Sequence, residues 1–356
     1  MICEGDYKVD MANKKILADE SVFLHNNLNF MRFVAAIMVI VSHSFPVCYG
    51  VEYEDLVGRM TNGMINLGGI AVGVFFVTGG FLIARSCENK KRAFPFFKAR
   101  IRRIFPSLAV VVLLCVFVLG PVASSVSLKE YFSAKETYRY FLNIFLIPIH
   151  TLPGVFENHV YPSVVNGALW TLPVEFVCYI GCFCAYKLGF FDKKRFAYTI
   201  PVAFVATISL FYLFGDNIVL LRIIRPILLY YIGIGFYVYR TKIRLDYKWG
   251  LLSVFLFIGT IFFNIPNIGM LFFFPYMIYF FAYGLKGKLC EFGRKYEISY
   301  GMYLYGWPVQ QTLIELGGMF CICYFNAIVT VMIVMLLGFL NTLIVEKQIW
   351  KKKEKE

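Results

Sequence analysis

Runs of about twenty apolar residues recur along this chain, and nothing else in it narrows the possible folds so far. Coiled as a helix, such a run matches the hydrocarbon thickness of a bilayer. Lipid offers no water to backbone groups, so only helices or closed barrels can span it. The runs lie near residues 28–48, 67–86, 103–120, 168–188, 196–214, 221–239, 249–264, 267–285, 298–316 and 320–345. Their length suits helices, and the expected fold is all-α: a polytopic integral membrane helical bundle of about ten transmembrane helices. Only 16% of the 356 residues are charged and 59% are hydrophobic, whereas a soluble domain carries roughly a quarter charged residues. The run YFLNIFLIPI (140–149) is too short to cross and is expected to be re-entrant or interfacial, inside a long loop from 121 to 167. No internal repeat and no appended soluble domain is visible.

Orientation follows from the basic residues. With the N-terminus inside, the inner segments hold Lys8, Lys14 and Lys15, the cluster from Lys90 to Arg103, Lys193–Arg195, Arg240–Lys248, Lys286–Lys295 and the tail. The outer loops hold Arg59, Lys129, Lys135 and Arg139. This asymmetry places both termini in the cytoplasm. The net charge of +13 is then a topology signal with anionic headgroups as its partner, and nucleic acid is not expected. The chain divides into a cytoplasmic N-terminal segment (1–27), a membrane domain (28–345, with the outer loop 121–167) and a basic tail (346–356). Residues 1–27 are polar and show no cleavable signal peptide. Most of the ten cysteines lie in apolar runs, where a thiol serves as a small hydrophobe. No C-x-x-C pair occurs and no metal is expected.

The polar residues inside the spans carry the functional reading. In NFMRFVAAIMVIVSHSFPV (29–47), Arg32 and His43 are eleven residues apart, almost three helical turns, so they share a face roughly 16 Å apart along the axis. Ionisable groups on one stripe of a spanning helix suggest a lined cavity. The fourth run, NGALWTLPVEF, carries Glu175 about seven residues, roughly 10 Å, below its outer edge. That is a depth at which a carboxylate can prepare His43 as a general base. Pro173 is expected to bend that helix. In SYGMYLYGWPVQQ, Tyr303, Trp307 and Gln310 recur on one face, and Pro308 interrupts the ladder. Arg222 and Arg225 open the sixth run. The glycines of GGIAVGVFFVTGG let helices approach closely. Arg100, Arg102 and Arg103 in FFKARIRRIFPSL form a basic inner mouth suited to phosphates.

Each feature also has a plainer reading. Arg32 and Arg222 are long enough to snorkel, the arginines near 100 serve topology, Trp307 and the tyrosines form an aromatic belt, and His43 makes a structural hydrogen bond. His25, His150 and His159 are expected to be solvated.

The same stretches resemble the membrane acyltransferase-3 family, whose members transfer acyl groups, often acetyl, to sugars of surface polysaccharides. The family's Arg-x10-His motif falls on Arg32 and His43. FFVTGGFLI is similar to its second-helix motif, with Gly79 in place of a serine. FFKARIRRIFPSL matches its basic motif at Arg100, Arg103 and Pro106. NGALWTLPVEF matches its Trp-Ser/Thr-Leu-x-x-Glu motif at Trp170 and Glu175. SYGMYLYGWPVQQ resembles the late Ser-Tyr segment, with Gly306 where many members have histidine. The resemblance spans about residues 28 to 345, in the form that lacks a C-terminal hydrolase-like domain.

What the resemblance implies is a multi-pass plasma-membrane O-acyltransferase. Acyl-CoA, acetyl-CoA in the common case, is the co-substrate and no cofactor is bound. Arg32, Arg100, Arg102 and Arg103 hold the donor; His43 and Glu175 are catalytic; Trp170, Arg225, Tyr303, Trp307 and Gln310 line the cavity or bind the carbohydrate acceptor. From the residues alone, a transporter of a small anion or lipid-linked sugar is the alternative.

Overall fold

The computed structural model describes residues 15–18, 25–214, 218–285 and 287–346. The expected N-terminal segment and basic tail lie almost wholly outside these. A helix stands at each of the ten apolar runs: α1 (Leu28–Tyr49), α2 (Leu67–Lys90), α3 (Ala93–Ala123), α4 (Thr171–Lys187), α5 (Lys193–Phe214), α6 (Ile218–Val238), α7 (Tyr247–Phe262), α8 (Pro266–Gly284), α9 (Ser299–Glu315) and α10 (Cys323–Val345). Five of them, α1, α2, α3, α8 and α10, are long and apolar enough to cross a membrane. Strand structure among the described residues is confined to an antiparallel pairing of Lys15–Ile16 with Arg244–Leu245 and an isolated bridge at Ser124 and Val155. The chain divides into two compact units.

The first unit comprises the described parts of Met1–Arg32, Gly73–Arg85 and Cys182–Arg294. Here the glycines act as the sequence suggests. A Cβ on Gly80 would strike the Tyr230 carbonyl, and one on Gly233 would strike that of Val77, so α2 and α6 touch backbone to backbone. Tyr279 on α8 donates to the Val77 carbonyl at 2.6 Å. The start of α1 is tied down by Asn27, whose amide donates to Phe281 O at 2.9 Å and Leu285 O at 3.1 Å.

The second unit comprises Phe33–Val72, Ser86–Gly181 and the described part of Lys295–Glu356. Helices α9 and α10 cross at a second glycine contact, where a Cβ on Gly301 would lie 2.7 Å from the Gly338 Cα. Tyr300 donates to Ile104 O at 3.1 Å and Asn341 to Ser107 Oγ at 2.9 Å, which joins both helices to α3. The run YFLNIFLIPI forms a 3₁₀ helix, Tyr140–Phe145, that ends at Leu146 with φ +63°. Asn143 closes that turn by bonding Ile149 through both its amide nitrogen and its oxygen, at 2.9 and 3.0 Å.

Pro173 does not bend α4. It is the third residue of a helix that begins at Thr171, and the first N–H groups of a helix have no partner inside it to lose.

Candidate active site

Helix α9 presents a row of side chains four residues apart: Tyr303, Trp307, Gln311 and Glu315. Each fastens a part of the segment 159–168, which approaches α4. The Tyr303 hydroxyl donates to Ala168 O at 2.7 Å and meets Thr171 Oγ1 at 2.6 Å. The Trp307 indole N–H donates to Val164 O at 3.0 Å. Gln311 sends its amide hydrogens to Tyr161 O at 2.8 Å and Val164 O at 3.2 Å. Its oxygen therefore faces His159, whose Nδ1 donates to it at 2.8 Å. His159 Nε2 then lies 3.0 Å from the Glu315 carboxylate. Pro308 explains one further bond. It lacks the N–H that would bond Leu304 O in a regular helix, and the Asn166 amide donates to that carbonyl instead, at 3.0 Å.

Two expectations change here. His159 is not solvated: its side chain is 8% exposed and it stacks on Phe156 with centroids 4.7 Å apart. His150 is held too, with Nδ1 3.1 Å from Asn166 O. The connection between α3 and α4 folds back on α9, so its histidines meet protein and not only water.

His43 is partly buried on α1. Its ring stands edge-on to Trp307, with centroids 4.8 Å apart at 70°. Tyr161 packs against the same indole at 5.1 Å and 80°. Among the described residues no hydrogen bond engages the His43 ring nitrogens. The residue before it, Ser42, donates to Asp55 Oδ2 at 2.6 Å. Asp55 is 1% exposed and also accepts from the N–H groups of Gly58 (3.0 Å) and Leu67 (2.8 Å). One buried carboxylate thus ties the C-terminal part of α1 to the start of α2.

Gln310 reaches α1 directly. Its amide donates to Ile40 O at 2.9 Å, and Gly306 permits the approach, since a Cβ there would lie 3.2 Å from Ile40 Cγ1. Gln310 is wholly buried, and its Oε1 has no hydrogen-bond partner among the described residues. An acceptor left so costs about 1–3 kcal/mol. Tyr303 and Trp307, by contrast, spend their polar atoms on the segment 159–168.

Glu175 accepts a hydrogen bond from Tyr179, one turn along α4. Among the described residues no hydrogen bond joins it to His43. Arg100 lies over the Tyr179 ring, 5.9 Å from its centroid, and Arg100 Nη2 donates to Ser86 Oγ at 3.3 Å. Glu175, Tyr179 and Arg100 therefore form a chain at the α3–α4 contact. Arg103 is exposed and 3.9 Å from Glu297, and Arg102 is partly exposed. Trp170 directly precedes α4 and is partly buried. In the first unit, Arg32 lies 5.8 Å from the Phe75 ring centroid, and Arg225 is partly buried on α6. No cluster of three or more His, Cys, Asp or Glu side chains suited to a metal occurs among the described residues.

With this geometry in place, similarity to known proteins is decisive. The acyltransferase-3 family model, described as "Acyltransferase domain", matches residues 25–346. The chain belongs to this acyltransferase family. It is 27% identical to a protein of Shigella phage Sf6 named "O-acetyl transferase" over 317 residues, 82% of this chain and 86% of the relative. It is also 28% identical to "Nodulation protein 10" of Rhizobium leguminosarum bv. viciae over 164 residues, 44% of this chain and 42% of that protein. No solved structure matches the chain significantly. The protein is thus an acyltransferase with membrane-type helices, and the transporter alternative falls away.

The sequence reading passed over Asp55, Gln311, Glu315 and the segment 159–168 as far as Val165, apart from His159. Gln311 and Glu315 continue the four-residue row from Tyr303 and Trp307, so the helical period held a signal for them. Asp55 caps the short helix Leu56–Met60 by accepting from Gly58, three residues on, a local signal the reading did not use; the partners of the loop residues on α9 are distant in sequence.

Proposed function

We propose that this protein is an O-acyltransferase of the plasma membrane. It moves an acyl group, acetyl in the first instance, from a cytoplasmic acyl-CoA to a hydroxyl of a surface polysaccharide or lipid-linked sugar. In this reading all ten helices cross the bilayer, both termini are cytoplasmic and residues 121–167 face outward, as the distribution of Lys and Arg favours. Arg32, Arg100, Arg102 and Arg103 hold the nucleotide and phosphates of the donor. His43 takes the proton of the acceptor hydroxyl as that oxygen attacks the thioester carbonyl. The C–S bond breaks, and the departing CoA thiolate collects a proton.

The observation that carries the reading is an Arg-x10-His pair on one unbroken apolar helix of a chain belonging to an acyltransferase family. The unengaged ring nitrogens of His43 suit a base that receives a substrate proton. Gln310 is the best-supported acceptor contact, because its buried Oε1 is ready for a hydroxyl donor; Trp170 and Arg225 complete the acceptor side. Glu175, bonded to Tyr179 beside Arg100, is assigned to the donor side and not to the imidazole. Purified protein incubated with radiolabelled acetyl-CoA and cell-surface glycans tests the reading: label should enter the glycan, and at least about a hundredfold more slowly with His43→Ala. Absence of transfer to any glycan, or full transfer by the histidine variant, would overturn it.

A further inference from the structure

The His43 imidazole has no hydrogen bond among the described residues, yet a base must meet its hydroxyl at a defined angle. The second torsion of histidine is broad, so something must choose the ring's orientation. Among the described residues, the aromatic ring that packs against it is Trp307, edge-on at 4.8 Å. The indole is itself held on several sides. Its N–H donates to Val164 O at 3.0 Å. That carbonyl also receives the Gln311 amide at 3.2 Å, and Tyr161 packs against the indole at 5.1 Å. The segment passes close over it at Gly167, where a Cβ would come within 2.9 Å of the indole Cε2 and Cζ2. Gln311 in turn is fixed by His159.

We propose that Trp307 is a positioning residue that sets the angle of the His43 ring, and that the segment 159–168 holds the indole to this task. The proposal rests on His43 being the base of the transfer reaction. It accounts for features that acceptor binding leaves unexplained: the indole N–H is directed at the protein's own backbone, and a glycine stands where any side chain would displace the indole. Edge-to-face contact between rings is directional, so a tilt of the indole passes to the imidazole. Misplacing a reacting group by about 1 Å can cost about a hundredfold in rate.

The experiment is steady-state kinetics with radiolabelled acetyl-CoA and the glycan acceptor on Trp307→Phe, Trp307→Leu and Gly167→Ala, each alone and combined with His43→Ala. Gly167→Ala keeps both side chains and displaces only the indole, so it serves if the tryptophan variants do not fold. Expected are a kcat about tenfold lower for Trp307→Phe and Gly167→Ala and about a hundredfold lower for Trp307→Leu. Both KM values should stay within about twofold, and no further loss should appear once His43 is gone. Unchanged kcat in all three variants, with His43→Ala inactive, overturns the positioning role and leaves the base intact. A loss confined to the acceptor KM overturns it in favour of acceptor binding by Trp307. An equal loss with and without His43 overturns it in favour of a structural role. Near-normal transfer by His43→Ala removes the functional reading itself, and the proposal with it.

Discussion

His159 Nε2 and the Glu315 carboxylate meet at 3.0 Å, which closes the row of contacts that begins at Tyr303 and binds the connection between α3 and α4 to α9. The two partners are unequal. His159 is nearly enclosed, while the Glu315 side chain is 45% exposed. A pair with one partner in water contributes about 1 kcal/mol or less. Removing the histidine also strands the buried Gln311 oxygen, at about 1–3 kcal/mol. His159→Ala should therefore lower the melting temperature in detergent clearly more than Glu315→Ala. It should also speed chymotryptic cleavage near Phe156 and Tyr161. Equal shifts for the two variants would show that the Gln311 bond contributes little.

Asp55 should prove the most sensitive carboxylate in the connection between α1 and α2. Asp55→Ala leaves the Ser42 hydroxyl and the Gly58 and Leu67 N–H groups without their acceptor, at about 1–3 kcal/mol each where water cannot replace it. Ser42→Ala removes one donor and leaves the carboxylate two, so it should cost about 1 kcal/mol. Thermal unfolding of the two variants checks the order. Because Ser42 precedes His43, Asp55→Ala should also lower kcat in protein that remains folded.

The proposed donor side offers a contrast between neighbouring arginines. Arg100 is held among Ser86, Phe96 and Tyr179, whereas Arg103 is exposed and loosely paired with Glu297. A guanidinium already fixed in place loses less freedom when it grips a phosphate. Arg100→Ala should therefore raise the KM for acetyl-CoA about tenfold or more, roughly 1.4 kcal/mol, and Arg103→Ala should raise it less. The acceptor KM should move in neither. A larger effect at Arg103 would place the phosphates nearer the α3 surface.

The contrast also marks what the sequence could disclose. Nine of these ten helices fall within a few residues of the apolar runs, because hydrophobic length is a local property that the chain states outright; α3 starts ten residues early, at Ala93, where the basic residues before the run join the helix. The arginines and His43 stood out because charge in such a run is costly. The segment 159–168 gave no such sign: it has no period, and its partners on α9 lie far along the chain. His159 therefore read as solvated until the fold brought Gln311 and Glu315 against it. Pro173 misled for a different reason, since the effect of a proline depends on how far it stands from the helix start, and helix starts are the least legible part of a sequence.

The same logic governs the pairing of His43 with Glu175. Comparable depth in the membrane suggested one catalytic unit, in which the carboxylate grips the imidazole. In the structure the Glu175 carboxylate accepts from Tyr179 and His43 contacts Trp307, and among the described residues no hydrogen bond joins the two. Groups that act as one unit fail together, and the second mutation then adds little. Groups that act separately lose rate independently, and their costs add as free energies. His43→Ala should lower kcat by about a hundred- to ten-thousandfold, the usual span of general-base assistance. Glu175→Gln should act mainly through Arg100 and raise the acetyl-CoA KM. In the double variant the losses in kcat/KM should multiply. A double variant no worse than His43→Ala alone would restore the carboxylate to the imidazole as one catalytic unit.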